Sequence, residues 1–154
     1  MTGKEDTLSA LDSAYDDIHS VVSGIDEPHG AWEGAVGTWS VVNVLQHVDG
    51  WLHEMTEALQ RMARGERPLL EGTDYNNVDA WNAKFVEVRG KQSFAEALAA
   101  FENGHAAFRK AAEAIPEERF GEGKTVNRLI FGVCLEHYPE HAAQIRAYLA
   151  GESQ

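Results

Sequence analysis

The sequence predicts an all-α protein: a single-domain four-helix bundle with longer connections after the first and second helices. Apolar residues recur at three- and four-residue steps in every long segment, which is the period of an amphipathic helix. Glycine and proline mark the connections, and no segment has the clear pattern of a strand. The chain has 154 residues, of which 44% are hydrophobic. This length suits one domain spanning residues 1–154.

The first two helices are defined by their apolar stripes and by the residues at their ends. The first is predicted near residues 5–25, and a loop marked by glycine and proline follows it. The second begins at Thr38 or Ser40, either of which can cap a helix, and ends at Gly65. A polar connection is predicted over residues 66–77.

The third helical region is interrupted, and the fourth contains a pair of histidines. A short helix is predicted over residues 79–89. Ser93 and Glu96 fit a capping box, in which each side chain satisfies a free backbone N–H of the other residue. The helix that they begin should extend to Ala114, and the last helix should begin near Thr125.

Three histidines form a candidate metal site. The steps from Val133 to His137, His141 and Ile145 are each four residues, so both imidazoles continue the apolar stripe of the last helix. Neighbours at this spacing are about 5–6 Å apart at Cβ, so both rings could reach one ion at about 2.1 Å. His47 flanks the core stripe of the second helix. The alternative is that these rings are hydrogen-bonded in the core or lie at a wet end of the bundle.

Pro139 lies between the two histidines of the last helix. Within a helix it cannot donate to the carbonyl of Leu135 and would clash with it, at a cost of about 3 kcal/mol. Either the helix kinks or widens, or one helix ends near Tyr138 and another begins at Pro139; a local bulge would rotate His137 relative to His141.

The stretch HYPEH also matches the H-x-x-E-H signature of inverzincin peptidases. The proline and the lack of a second ligand segment of that class disfavour a peptidase.

The remaining histidines and the single cysteine show no pattern of a site. We expect His19, His29, His53 and His105 to be surface or capping residues. Cys134 precedes His137 by one turn, and a buried inert thiol is favoured there over a nucleophile or an extra ligand.

Composition narrows the classes of partner and the compartment. The formal net charge is −12, which leads us to expect no binding to nucleic acid or to a membrane. A single cysteine excludes an internal disulfide and suits a reducing compartment. The N-terminal segment is polar and acidic rather than a signal peptide, so a cytoplasmic location is expected.

Three segments resemble one known family. GTWSVVNVLQHVDGW resembles the second helix of the DinB-like (DinB/YfiT) bundles, in which a tryptophan precedes a helix carrying a histidine and then another tryptophan. HYPEHAAQIRAYL is similar to the last helix of that family. DAWNAKFVEVRGKQSFAEALAAFENGHAAF resembles the subgroup that contains the colibactin self-resistance protein. The resemblance extends over nearly the whole chain, although each of the motifs is short.

The resemblance implies a bacterial four-helix bundle in which His47, His137 and His141 hold a divalent metal (Zn, Ni, Mn or Fe) with open coordination positions. Family members include thiol-dependent transferases, isomerases and a hydrolase. We therefore expect a metal-dependent enzyme that acts on a small electrophile or a thiol adduct, in detoxification or self-resistance. A low-molecular-weight thiol is a candidate cosubstrate, and a homodimer is expected. A non-catalytic protein that sequesters a reactive small molecule and a metal-free structural bundle remain the alternatives.

Five further residues are candidates for the site. Glu140 is next to a ligand and Glu54 is seven residues after His47 on the same helix, so either carboxylate could relay a proton, although both could be ordinary surface residues. Trp51, Trp81 and Asn82 are candidate substrate-pocket residues, the alternative for the tryptophans being core packing.

Overall fold

Helices form every long element between residues 3 and 151, the part of the chain that the computed structural model describes. The α-helices are α1 (Lys4–Val22), α2 (Glu27–Ala31), α3 (Val41–Ala63), α4 (Val78–Arg89), α5 (Phe94–Glu113), α6 (Thr125–Ile130) and α7 (His137–Leu149). A 3-10 turn (Glu117–Arg119) precedes α6, and a π-helical turn (Phe131–Leu135) joins α6 to α7. The described residues contain no strand beyond an isolated bridge between Val36 and Trp39. The all-α prediction is confirmed.

Four long elements make up the bundle: α1, α3, α5 and the continuous segment from α6 through the π-helical turn to α7. The main packing is between α3 and α5 and between α1 and α7, while α4 lies against α3. The longer connections follow the first and second of these elements, as predicted. The first connection is not a simple loop, because Asp26 accepts a hydrogen bond from the backbone N of His29 and Pro28 stands in the first turn of α2.

Capping side chains fix where the two main central helices begin. The hydroxyl of Ser40 accepts a hydrogen bond from the backbone N of Asn43, and the Asn43 side chain accepts one from the backbone N of Ser40. This capping box selects Ser40 over Thr38 as the start of α3. Ser93 and Glu96 form the predicted box at the start of α5, with N–O distances of 3.1 and 2.9 Å.

Helix α3 is the central element of the bundle. It contacts α2, α4, α5 and the π-helical turn, and most of its residues are buried, including polar ones such as Gln46, His47 and Asp49. The apolar core extends from it to fully buried side chains on α5 and α7, among them Phe101, Phe108 and Tyr138. The side chains of Gln46, His47 and Asp49 are therefore shielded from solvent.

Two glycines allow α3 to approach its neighbours closely. A Cβ atom at Gly50 would overlap the ring of Phe85 on α4, and a Cβ atom at Gly104 on α5 would overlap a carboxylate oxygen of Asp49. Since these neighbours are buried themselves, they cannot swing away into solvent.

We expect Gly50→Ala to lower the free energy of unfolding by about 1–3 kcal/mol, because the new methyl group must displace the buried ring of Phe85. The control is Gly24→Ala, where a Cβ atom would meet nothing within 4 Å. Urea unfolding followed by circular dichroism measures both. Equal unfolding midpoints for the two variants would contradict the close packing of α3 on α4.

Candidate metal centre

Three imidazole rings from α3 and α7 meet inside the bundle. The Nε2 atom of His47 lies 3.1 Å from that of His137 and 3.2 Å from that of His141. One nitrogen of each ring falls within 4.8 Å of the others. The spacing of four residues places His137 and His141 on consecutive turns of α7, facing His47 on α3. The structure thus brings together the three histidines that the sequence singled out.

The donor set fits a divalent metal ion. Two nitrogen ligands at about 2.0–2.1 Å from one ion are about 2.9–3.4 Å apart at common coordination angles, which matches both distances from His47. Hydrogen bonding alone accounts for these contacts poorly, because one ring nitrogen carries either one proton or one lone pair and cannot pair well with two others. The group could therefore hold a metal ion.

All three rings are kept neutral by their surroundings. Burial, together with the two nearby histidines, lowers the pKa of His47 to about 2, against a smaller opposing effect of the backbone at Asn43 and Val44. Burial and His141 lower the pKa of His137 to about 3, and burial also lowers the pKa of His141. A metal requires neutral imidazole, so protons compete with it for these nitrogens only in acid.

The outer nitrogens of the rings determine their orientation. Nδ1 of His141 lies 2.6 Å from the side-chain oxygen of Gln144, which accepts its proton and leaves the Nε2 lone pair facing the centre. A hydrogen bond with the backbone of Val133 supports His137. Nδ1 of His47 is buried and has no hydrogen-bond partner of good geometry among residues 3–151. The ring of Trp39 packs on His47, with centroids 4.9 Å apart.

The irregular turn near Pro139 lies before both ligands of α7. The backbone N of Glu136 donates to the carbonyl of Phe131, five residues earlier, at 2.8 Å, which defines the π-helical turn. Pro139 is the third residue of α7, where a missing N–H costs little. The last helix therefore widens, as one of the alternatives predicted, but the expectation that a bulge would rotate His137 relative to His141 is wrong.

A cavity of about 390 Å³ adjoins the imidazoles on the side of His137, which is half-buried while His47 and His141 are buried. Its lining residues are Trp51, Met55, Val78, Arg128, Leu129, Gly132, Val133, Glu136 and His137. Of the three predicted pocket residues, Trp51 lies in this lining. Asn82 accepts a hydrogen bond from the Trp51 indole at 2.6 Å, and the Trp81 indole donates to the carbonyl of Asp74. Asn82 and Trp81 are thus behind the wall.

The two carboxylates proposed for proton transfer occupy different surroundings. Glu54 is half-buried and accepts a hydrogen bond from the hydroxyl of Tyr75 at 2.7 Å. Burial and the hydrogen bond to Glu54 raise the pKa of Tyr75 well above its usual value. Glu140 is exposed, one residue before His141. Sequence reasoning missed Glu136, which lies in the cavity lining beside His137; the only signal for it was its position one residue before a ligand.

The expectations for the other histidines are met except at His105. His19 pairs with Glu102, the exposed His29 pairs with Asp26, which is the cap of α2, and His53 is exposed. His105 is buried instead: its Nδ1 lies 2.8 Å from the hydroxyl of Tyr138, and its ring stacks on Tyr15 at 3.8 Å. Burial lowers its pKa to about 4. The signal was its place four residues after Phe101 on the apolar stripe of α5.

Cys134 is buried as expected. Burial raises the pKa of its thiol to about 12, against a smaller lowering by a hydrogen bond with Tyr138. The thiol therefore stays protonated at neutral pH, which makes it a poor nucleophile and a poor metal ligand.

The fold and the site define a class of protein: a helical bundle with an internal cluster of three imidazoles beside a cavity. The chain belongs to the DinB superfamily, whose family model matches residues 10–147. This confirms the resemblance seen in the sequence. No curated protein matches the chain.

Solved structures with the same fold cover nearly the whole chain. The colibactin self-resistance protein ClbS, crystallised with double-stranded DNA, superposes with a TM-score of 0.81 at 16% identity, over 95% of this chain and 94% of its own. The sibling lethal factor precursor DfsB gives 0.82 at 18% identity, over 98% and 97%. An uncharacterised protein from Escherichia coli UTI89 gives 0.80 at 17% identity, over 100% and 98%. At these identities the likeness establishes the fold.

The exclusion of nucleic acid, drawn from the acidic composition, is wrong, because ClbS shares this fold and was crystallised with double-stranded DNA. Net charge predicts nucleic-acid binding poorly, because at physiological ionic strength a charge is screened beyond about 8 Å. The charges close to a binding surface therefore matter more than the net charge of the chain. Basic side chains do cluster in this chain. Arg61 and Arg64 lie at the end of α3, and Arg119 donates a hydrogen bond to the carbonyl of Met62 there. Arg119, Lys124 and Met62 line one surface hollow.

Within residues 3–151, none of the helices is both long and apolar enough to cross a bilayer.

The lowered histidine pKa values predict how stability depends on pH in metal-free protein. Below about pH 6.5 the histidines of the unfolded chain bind protons, whereas the buried rings of the folded chain stay neutral. The free energy of unfolding therefore falls as pH falls. Each such histidine contributes up to about 1.4 kcal/mol per pH unit. We expect His105→Asn to reduce this slope by about that amount between pH 6.5 and 5, as measured by urea unfolding in the presence of a chelator.

The matched control for this prediction is His53→Asn, which changes an exposed ring. It should leave the slope of the wild type unchanged. A slope that His105→Asn does not reduce would show that the His105 ring is protonated in the folded protein, contrary to its burial.

Proposed function

We propose that the chain is a metal-dependent enzyme that acts on a small electrophile or on a thiol adduct. The observation that supports this most directly is the convergence of the Nε2 atoms of His47, His137 and His141 next to a cavity large enough for a small molecule. A purely structural cluster would not need an adjoining cavity. The expected cofactor is a divalent ion, Zn, Ni, Mn or Fe, held by these three residues.

A bound divalent ion would supply Lewis-acid chemistry, polarising an electrophilic substrate and favouring deprotonation of its nucleophile. The residues of the chain would do the rest. Gln144 holds the tautomer of His141, and burial keeps the three imidazoles neutral and oriented. Since these ligands carry no charge, they leave the full charge of the ion available to the reaction.

The cavity would bind the substrate and limit its contact with water. Trp51 forms part of the wall, and Asn82 fixes the indole by accepting its N–H. Trp81 packs near Trp51, with centroids 6.1 Å apart, and so stiffens the same wall. The carboxylates Glu54 and Glu140 remain our candidates for moving a proton; of the two, Glu54 has the more defined setting, because Tyr75 holds it by a hydrogen bond.

The reaction class that we propose is hydrolysis or thiol transfer, with a low-molecular-weight thiol as cosubstrate in the second case. The physiological role would be detoxification or self-resistance in a bacterial cytoplasm. Two observations support this: membership of the DinB superfamily and the shared fold of ClbS, a colibactin self-resistance protein.

We expect untagged protein to contain about one divalent ion per chain, and His47→Ala and His141→Ala to abolish this, because two imidazoles hold an ion much more weakly than three. Elemental analysis of protein with unchanged circular dichroism gives the measurement. His53→Ala, the same substitution six residues further along α3, is the control and should retain the ion. Wild-type protein that takes up none of Zn, Ni, Mn, Co or Fe at neutral pH would favour the metal-free structural bundle.

Turnover separates an enzyme from a protein that only sequesters its ligand. We expect metal-loaded protein, mixed with a panel of epoxides and α,β-unsaturated carbonyl compounds with and without a small thiol, to convert at least one electrophile catalytically. Mass spectrometry of products against enzyme concentration measures this, with His141→Ala as the inactive comparison. Binding at one equivalent without any product would support sequestration instead.

A further inference from the structure

The cavity beside His137 has walls on two antiparallel helical segments. On α3 the lining residues Trp51 and Met55 are four residues apart, and His47 lies four residues before Trp51 on the same face. On the opposite wall His137, Val133 and Leu129 do the same in the reverse direction. Because His47 meets His137, both walls lead away from the imidazoles for about 12 Å, at about 1.5 Å per residue. The cavity is therefore elongated, with the imidazoles at one end.

The two walls are mainly apolar. Met55 and Val133 are buried, Leu129 and Trp51 are half-buried, and Val78 covers the side. A volume of about 390 Å³ lies within the range of pockets for small molecules. An extended apolar group would displace poorly held water from these walls, which favours its binding.

Arg128 lies at the end of the cavity away from the imidazoles. Its side chain is exposed, lines this cavity as well as a neighbouring hollow that includes Glu122, and forms no ion pair within residues 3–151. By contrast, the guanidinium groups of Arg64, Arg89, Arg109 and Arg146 each pair with a carboxylate. In a chain with 25 acidic and 13 basic residues, a cavity-lining arginine that pairs with no carboxylate offers a bidentate donor for an anion.

Glu136 does not neutralise this arginine. It also lines the cavity, but it precedes His137 and is eight residues from Arg128, or about 12 Å along the helix axis. At physiological ionic strength a charge at that distance is largely screened. The anionic group of a ligand would thus meet Arg128 first.

Gly132 determines how wide the cavity is at its middle. It lies on the π-helical turn between Arg128 and Glu136, and a Cβ atom placed on it would meet nothing within 4 Å. A larger side chain at this position would enter the cavity without disturbing the packed core.

We propose that this cavity selects an elongated apolar molecule that carries a carboxylate or a phosphate about 10 Å from its reactive end, with Arg128 binding the anion and Gly132 leaving room for the apolar body. The proposal rests on the proposed function in one respect: the imidazole end is taken as the reacting end. The binding preference itself is independent of metal and of turnover. Arg128 and Gly132 are thus assigned as residues that determine specificity.

The test uses 6-phenylhexanoate, 6-phenylhexyl phosphate and the neutral 6-phenylhexanamide, whose lengths match the cavity. Calorimetry measures their dissociation constants with the wild type, Arg128→Met and Gly132→Leu, while elemental analysis follows metal content. We expect the wild type to bind at least one anion about tenfold more tightly than the amide. The preferred anion identifies the carboxylate or the phosphate as the group recognised.

Arg128→Met should weaken binding of the preferred anion about tenfold and change the dissociation constant of the amide less than twofold. Arg67→Met is the control, since Arg67 is an exposed arginine that lines a different hollow. Gly132→Leu should weaken the binding of all three compounds. Gly24→Leu, at another glycine with open space around it, should weaken the binding of none.

The outcomes separate this inference from the proposed function. Equal affinity of the wild type for the anions and the amide, or an anion preference that survives Arg128→Met, would overturn the inference even if the metal is present. Loss of the metal with the anion preference intact would contradict the proposed function alone. If Gly132→Leu leaves binding unchanged, the ligand does not occupy this cavity. That result would also overturn the inference.

Discussion

Three uncharged imidazoles, two of them buried and that of His137 half-buried, meet between α3 and α7, and the candidate site depends on this contact. Burying polar rings without partners costs free energy, since each loses its hydrogen bonds to water. The chain meets this cost only in part: Gln144 satisfies one outer nitrogen, while that of His47 has no partner of good geometry among the described residues. Such a cluster is expected where a protein trades stability for a binding site.

The stability needed to hold these rings in place comes from the close packing of α3. Glycines allow α4 and α5 to approach it, and capping boxes fix the starts of α3 and α5. On the far side, Tyr138 separates the two ligands in sequence and donates or accepts a hydrogen bond with His105, which stacks on Tyr15. The ligands of α7 are thereby connected to α5 and α1 as well as to α3.

The sequence was sufficient for the helices and for the three imidazoles, because both follow from periodicity. Steps of three and four residues reveal the buried face of a helix, and the same steps placed His137 and His141 together. It was insufficient wherever the result depends on tertiary context. The π-helical turn has no periodic signature, α2 is too short to show one, and the lining of the cavity joins residues as distant in the chain as Trp51 and Arg128. His105 was wrongly expected at the surface, because histidine is a polar residue type. Its position on the apolar stripe of α5 was the better indication of burial.

The π-helical turn has a consequence for how this protein can vary. Most of the cavity lining on this segment lies before or within the turn, while both imidazoles of the segment lie after it, and His137 belongs to both. The ring of His141 is held by α3 and Gln144, and the turn supports His137 through the backbone of Val133, so side-chain substitutions in α6 and in the turn can reshape the cavity while these contacts remain. A constant imidazole cluster beside a cavity with a variable lining would allow one bundle to bind many different ligands.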